Sequence, residues 1–413
     1  MGEATGEVEG FADDAFRALL ATFERDRHQL GAGGGAFSIY VEGDLVVDLW
    51  CGGAGPRRTW AVDTLAPLFA ATKGLVATCA MVLFDRGVLD LEERVAAYWP
   101  EFAAAGKADI TVHQILNHTS GVIEIPGYAD LVDVNGDGWD RHDEIQRRIA
   151  SSAPAWTPGT THGYQVTTFG YLVGALVERI DGRPLARFFR EEVAEPLGID
   201  VWLNVPDRVA YRAAIAVLPP AHDKPDVDPL EIIAGPARDA SSVAGRSFIA
   251  HAGSSLLDQL ADLGNNRFQH QSGSGSYDGL GTARGLARLY AALGEGGTLD
   301  GAEIVSRHSI ERFARLERRG FDRVLSLDMA WCLGFQANEP ILGGRVMGPD
   351  PSAFGHQGAG GQLGFCDPRN RVAIGFTRNE LSLHSPLRGS LVDAAYAGLG
   401  LAPDPDPLTG SFG

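Results

Sequence analysis

Cysteine is scarce in this 413-residue chain, at four positions, and positive charge is outnumbered, with 35 Lys and Arg against 53 Asp and Glu. Cys51, Cys79, Cys332 and Cys366 lie far apart and form no CxxC pair. That spacing argues against a thiolate metal site and reads as reduced, mostly core thiols in a cytoplasmic protein. The net charge of −18 argues against a nucleic-acid partner, which would call for a basic face, and it disfavours docking on anionic membranes. Its plain meaning is a well-solvated surface. No run approaches the roughly 18 apolar residues of a membrane span. The N-terminal text "MGEATGEVEGFADDAF" is acidic and lacks the apolar core of a secretory signal, and Gly6 stands where a myristoylation signal wants Ser or Thr. His113 and His118, five apart near Asn117, read as loop and packing histidines, not ligands. We expect no metal and no cofactor.

What is present is an ordinary globular mixture, 45% hydrophobic and 21% charged, long enough for two domains or for one domain with a large insertion. Phe11, Ala15, Phe16, Leu19, Leu20 and Phe23 recur at helical spacing and predict an amphipathic helix over 11–30. The "GAGGG" that follows leads into a strand and lacks the lysine of a phosphate loop, so it reads as a turn. Two apolar runs around Glu42-Gly43-Asp44 predict a hairpin. The stretch from Leu68 to Phe84 has no polar face after Lys73 and predicts a buried helix.

Further helices are predicted near 141–151, 167–181, 184–194, 280–293 and 306–318. Between them, 218–278 reads as a long irregular excursion, the kind of segment that is functional or mobile. Short β-rich runs return in "MAWCLGFQA", "FGHQGAGGQLGFCD" and "RVAIGFTRN", and a helix closes the chain at 385–399. This order predicts an α+β protein, an α/β sandwich. One antiparallel sheet is completed by terminal segments and flanked by terminal helices, with a mainly helical domain inserted. The sheet domain is expected at 1–87 and 280–413, and the insertion at 88–279.

Three segments carry candidate chemistry. In "LFAATKGL", positions 70 and 73 share one helix face, where a serine hydroxyl and a lysine amine would lie within hydrogen-bond reach. Position 70 holds alanine. Burying the lone Lys73 ammonium among Phe69, Leu75, Val76 and Met81 is costly without partners, and the alternative is a lysine snorkelling to the surface. In the second segment a Trp-x-Pro-Gly turn (Trp156 to Gly159) precedes Tyr164 and a helix. A phenol there, near an ammonium, would ionise more easily than in water and carry protons, or it would simply pack. The third is "FGHQGAGGQLGF" (354–365), whose glycines admit close backbone approach and whose amides could face an oxyanion; the alternative is a bulge.

In this order the three segments resemble the serine β-lactamase and penicillin-binding-protein superfamily, and most closely its class C β-lactamases and the related family VIII carboxylesterases. "ITVHQILNHTSGV" (110–122) and "GLGTARGLARLYAALGEGG" (279–297) are similar to supporting segments of that superfamily, and the likeness spans about 35 to 395. The resemblance implies that Ala70 occupies the nucleophile position and that Lys73 is the general base or its partner. Tyr164 becomes the second proton carrier, and His356-Gln357-Gly358 takes the place of Lys-Thr-Gly. The oxyanion hole would use the N–H of residue 70 and one near Ala359 or Gly360.

Three departures matter. Ala70 has no hydroxyl, so no acyl-enzyme forms on this chain. Tyr164-Gln165-Val166 lacks the amide of Tyr-x-Asn, and His356 replaces a lysine suited to the β-lactam carboxylate. The last two point toward esters or amides, as in the esterases and statin-type acyltransferases of the superfamily. The expectation is a serine esterase or acyltransferase working through an acyl-enzyme on a small-molecule ester or amide, with water, an alcohol or an amine as acceptor. We expect it to be inactive here, through an engineered Ser-to-Ala replacement at position 70. The alternatives are a natural non-catalytic binding protein, or a D-amino-acid peptidase or weak β-lactamase.

Overall fold

The computed structural model describes residues 6–219, 229–249, 254–341, 344–382 and 385–401, and its first element is a strand. β1 (Glu9–Ala12) pairs antiparallel with a later strand and leaves Phe11 44% exposed. The helix expected over 11–30 is correspondingly shorter: α1 covers Arg17–Asp26, with Leu19 and Phe23 turned inward. The helical spacing is real from Phe16 onward. Phe11, however, lies where an otherwise open sheet edge takes up its backbone hydrogen bonds.

β2 (Gly34–Val41) and β3 (Asp44–Gly55) form the expected hairpin, and both residues between them have positive φ, 52° at Glu42 and 89° at Gly43. That is the tight geometry that matches strand twist. α2 (Thr72–Asp85) follows a 3-10 turn at Phe69–Ala71, and every residue from Thr72 to Leu83 is buried. α3 (His142–Ser151) and α4 (Thr168–Asp181) lie where periodicity placed them, and α4 packs on α2. α5 (Ala283–Gly294) begins three residues later than expected, because Leu280–Gly281 pairs with Ala66–Pro67 and Val201–Trp202 in a small sheet.

The helix expected over 306–318 ends at Ala314, and Arg318 already opens β4 (Arg318–Asp322). β5 (Leu327–Trp331), β6 (Gln336–Ala337), β7 (Phe354–Gln357), β8 (Leu363–Asp367) and β9 (Val372–Arg378) follow, and α6 (Pro386–Gly398) closes the described chain. The excursion 218–278 is less irregular than its composition suggested. Short helices run at Pro229–Ala237, Val243–Ser247, Leu260–Asn265 and Arg267–His270, while 220–228 and 250–253 lie outside the described residues.

The main sheet has the order β1-β3-β2-β9-β8-β7-β6-β5-β4, antiparallel throughout. β2 from near the start and β9 from near the end pair centrally, from Val41↔Val372 to Gly35↔Arg378. Alternate side chains such as Phe37, Ile39, Ile374 and Phe376 bury one face against α1 and α6. α5 packs on β2, β8 and β9, and the helical segments form the larger core around α2 and α4. This is the layered β-lactamase/transpeptidase-like architecture, with terminal helices on the sheet and a mainly helical block in mid-chain.

One buried cation ties that helical block together. Lys107 Nζ donates to the carbonyls of Ala104, Ala150 and Ser152, the last two at the C-terminal end of α3, where helix carbonyls lack intrahelical partners. Lys107→Met removes all three bonds at nearly constant volume. It is expected to lower the unfolding free energy by about 3 kcal/mol, read as a reduced midpoint in chemical denaturation. An unchanged midpoint would refute the role.

Candidate active site

The site assembles around the first turn of α2. Lys73 is only 1% exposed, and its Nζ donates to two backbone carbonyls, Val166 O and Ser276 O, each at 2.8 Å. These bonds decide between the two expectations for this lysine: it is held inside and does not reach the surface. Burial pulls its pKa down to about 7, and the Asp278 carboxylate opposes the fall. At neutral pH a large fraction of the amine is therefore free base, which is what abstracting a proton from a neighbouring hydroxyl requires. Ala70, one helical turn earlier, is partly buried. The residue before it, Phe69, is held at φ 46°, a left-handed backbone that a bulky side chain adopts only under constraint.

Tyr164 lies beside this amine, with the Lys73 Nζ 4.7 Å from the centre of its ring. The ring stacks almost parallel on Trp331, 5.1 Å away at 4°. Asp322 fixes the pair: its Oδ1 accepts from the Tyr164 N–H at 3.0 Å and its Oδ2 from Trp331 Nε1 at 3.1 Å. The Tyr164 hydroxyl has no hydrogen-bond partner among the described residues. Burial first, and the Asp322 charge second, hold this phenol well above its ordinary pKa. The expected easier ionisation is therefore corrected. The ammonium meets the ring face, while the enclosing apolar wall penalises a phenolate.

His356 and His118 complete the wall. His356 Nδ1 lies 2.8 Å from Gln357 O, so this nitrogen carries the proton and donates, leaving Nε2 as an acceptor with no partner among the described residues. Burial, with the Lys73 charge second, takes its pKa to about 3, so the imidazole is neutral. His118 packs 5.3 Å from Tyr164 and 4.6 Å from Trp331, and burial holds it well below its usual pKa. Its Nε2 is likewise unpartnered, and its φ of 61° is a second strained backbone beside the site. Packing alone, the expectation for His118, understates its place against Tyr164.

In the Tyr164-Gln165-Val166 segment, Gln165 faces away: its side chain bonds Ser120 Oγ at 2.6 Å and Ile115 O at 3.1 Å. At the next position Val166 has no amide to offer, and its main-chain carbonyl meets Lys73 instead. Gly358 presses on the turn before Ala70, since a Cβ there would sit 2.3 Å from Leu68 O. The Gly360 N–H donates to Gln362 Oε1 at 3.0 Å, whereas Ala359 N–H has no hydrogen bond among the described residues. Ala359 is thus the freer of the two oxyanion candidates.

Sequence reasoning passed over Trp331, Asp322, Ser276 and Asp278. No spacing rule links residues that far apart, although the polar "QSGSGSYDG" (271–279) inside an apolar context was a usable signal. It also passed over 133–144, whose D-x-N-x-D-G-x5-E spacing is that of an EF-hand loop. There the Glu144 carboxylate is engaged by Arg147 and Arg148 at 2.6 and 2.8 Å. Among the described residues no group of three or more His, Cys, Asp or Glu converges on a metal position. Nor is any helix among them long and apolar enough to cross a membrane.

Comparison with known proteins points to one family. Residues 13–395 match the family model described as Beta-lactamase. The chain is 32% identical over 388 residues to the esterase/beta-lactamase LipL of Mycobacterium tuberculosis, covering 92% of this chain and 84% of that protein. Among solved structures, a family VIII carboxylesterase superposes with a TM-score of 0.82 at 31% identity, covering 95% of this chain and all of that one. A penicillin-binding-protein homologue from Caulobacter crescentus gives the same TM-score and coverage at 32% identity.

The orphaned hydroxyl makes a prediction about stability. Tyr164→Phe removes a buried polar atom that has no partner and keeps the ring stacked on Trp331. Stability is expected to hold, or to rise by about 1 kcal/mol, measured as the melting temperature of the unliganded chain. A marked drop would show that the hydroxyl is satisfied by the protein.

Proposed function

This chain belongs to the beta-lactamase family, and from that premise we propose that it is a serine carboxylesterase or acyltransferase whose acyl-enzyme step is disabled at Ala70. The observation that carries this reading is the half-neutral Lys73 amine beside two unpartnered atoms, Tyr164 Oη and His356 Nε2, with only a methyl at the attacking position. Buried donors and acceptors left empty are costly unless something fills them, and a substrate ester supplies the missing partners.

With a hydroxyl at position 70, Lys73 takes the proton as the oxygen attacks the carbonyl carbon. The N–H groups of residues 70 and 359 hold the oxyanion, and Tyr164 relays to the departing alcohol or amine the proton that Lys73 took, gaining one from the ammonium as it gives its own, so that no phenolate builds up. Water, or an alcohol or amine acceptor, then releases the acyl group. Neutral histidines at 356 and 118 favour an uncharged ester over a carboxylate-bearing β-lactam. Ala70 packs against an apolar cluster that includes Ile123, Val166, Ile233 and Phe248, which supports an apolar acyl group. We read 1–87 with 280–413 as the sheet domain and 88–279 as the insertion whose later part walls the acyl pocket. The four buried, free cysteines support a reducing, cytoplasmic setting.

One observation favours a second reading, a natural binding protein of the same fold. Two carbonyls satisfy Lys73 without any help from position 70, so the site is stable as it stands. A serine codon at position 70 of the source gene is expected under the first reading, and an alanine codon under the second.

Ala70→Ser is expected to form a covalent adduct with a fluorophosphonate probe and to hydrolyse p-nitrophenyl butyrate. Its kcat/KM should rise with pH through about 7, because the active form of Lys73 is the deprotonated one. Adding Tyr164→Phe should cost about 100-fold in rate. Failure of Ala70→Ser to react with either reagent sinks the esterase reading. Faster turnover of D-alanyl amides or of a chromogenic cephalosporin would move the chain to the peptidase or β-lactamase branch.

A further inference from the structure

The proposed mechanism leaves one buried acid without a task. Asp278 is 1% exposed, yet its carboxylate is fully engaged by its own loop. Oδ2 accepts from Ser272 Oγ and from the Ser274 N–H, both at 2.7 Å, and Oδ1 accepts from the Gly275 N–H at 2.8 Å. These bonds fold 272–278 into a closed turn whose protruding carbonyl, Ser276 O, meets Lys73 Nζ. The turn is wedged in place from outside. Ser276 Oγ donates to Thr167 O and accepts from the Gly170 N–H at 3.1 Å, and a Cβ at Gly170 would lie 2.2 Å from Ser274 O.

We propose that Asp278 is a positioning residue for Lys73: its carboxylate shapes the turn that delivers the Ser276 carbonyl to the amine and places a buried negative charge in that same turn. The proposal rests on the reading of Lys73 as the base of the site and assigns the group that sets its strength. Two effects act on one atom. The carbonyl fixes where the amine points, and the carboxylate limits how far burial can depress its affinity for a proton.

The other titratable groups facing Lys73 do not duplicate this. His118, from the segment after residues 112–116, and His356, from β7, are neutral, and Tyr164 presents its ring face. Tyr171 of α4 and Tyr277 of the turn itself feel the Asp278 charge and are held protonated, burial being the larger cause in both. Asp278 is thus the anion whose charge acts on the amine among the described residues. Its own carboxyl is shifted upward by burial and back down by the hydrogen bonds of the turn.

The test uses the unmodified Ala70 chain and needs no catalysis. The sequence contains three lysines, Lys73, Lys107 and Lys224, so side-chain 13C-labelled lysine gives a spectrum simple enough to titrate residue by residue. Asp278→Asn removes the charge and keeps the side-chain size, at the cost of one turn bond, because its NH2 group cannot accept from the Ser274 or the Gly275 N–H. It is expected to lower the Lys73 midpoint by about one pH unit and to leave Lys107 where it was. A purely structural role would broaden or shift both lysines, or neither.

Should Asp278→Asn fail to fold, the reciprocal variant carries the test. Lys73→Met must raise the titration midpoint of the Asp278 carboxyl, read from its 13C shift, by the same amount that the carboxylate affects the amine. If the Lys73 midpoint in Asp278→Asn, or the Asp278 midpoint in Lys73→Met, stays put in a folded protein, the assignment is wrong. Because the readout is a titration, it stands or falls separately from acyl-enzyme formation by Ala70→Ser. An unreactive serine variant with a coupled Lys73 and Asp278 would overturn the esterase reading alone.

Discussion

A single ammonium group, buried at the head of an apolar helix, sets the terms for everything around it. A lysine amine taken out of water needs acceptors, and α2 has none to spare because its carbonyls are committed to the helix. The acceptors come from far along the chain, Val166 O and Ser276 O, 93 and 203 residues away in sequence. Satisfying Lys73 therefore requires that the segment before α4 and the 272–278 turn both reach the same point beside α2. Glycine 170 allows the turn to lie against α4, and the Ser276 hydroxyl bridges them. The geometry of the candidate site follows from this requirement.

The surroundings are built to keep the site nearly uncharged. His356 and His118 are neutral because burial beside a cation disfavours a second and third positive charge. Tyr164 is protonated because its stack on Trp331 leaves no water for a phenolate. Two carboxylates, Asp322 and Asp278, are kept from solvent as well, and each is paid in N–H and O–H donors from its own neighbourhood. On the proposed reading, such a site binds an ester through hydrogen bonds and apolar contact rather than through ion pairing. It also places the strongest available base next to the missing hydroxyl.

The sheet provides the rigid side of this arrangement. Pairing of β2 with β9 closes the ends of the chain onto each other, and α5 fixes the other face. β7 ends in His356 and Gln357, and the next residue, Gly358, lies against the turn before Ala70 without any side chain between. This close approach sets the loop after β7 against the start of the helix. The approach requires a glycine on one side, and the turn on the other side holds Phe69 at a positive φ.

Much of this was legible before any coordinates. Apolar and β-rich runs marked β2, β3, β8 and β9, and the featureless apolar run marked α2 as buried, because such runs record which segments are withdrawn from water. The order of the Lys73, Tyr164 and His356 segments carried the family. Phe11 and Arg318 went the other way, since an open sheet edge recruits extended residues whatever their helical spacing. The tertiary structure alone decided that Lys73 points inward, that Tyr164 turns its ring face to the amine, and that Asp278 and Asp322 stand behind them. Local sequence encodes burial and period. Which distant carbonyl or carboxylate satisfies a buried amine depends on where the chain returns, and no local pattern records that.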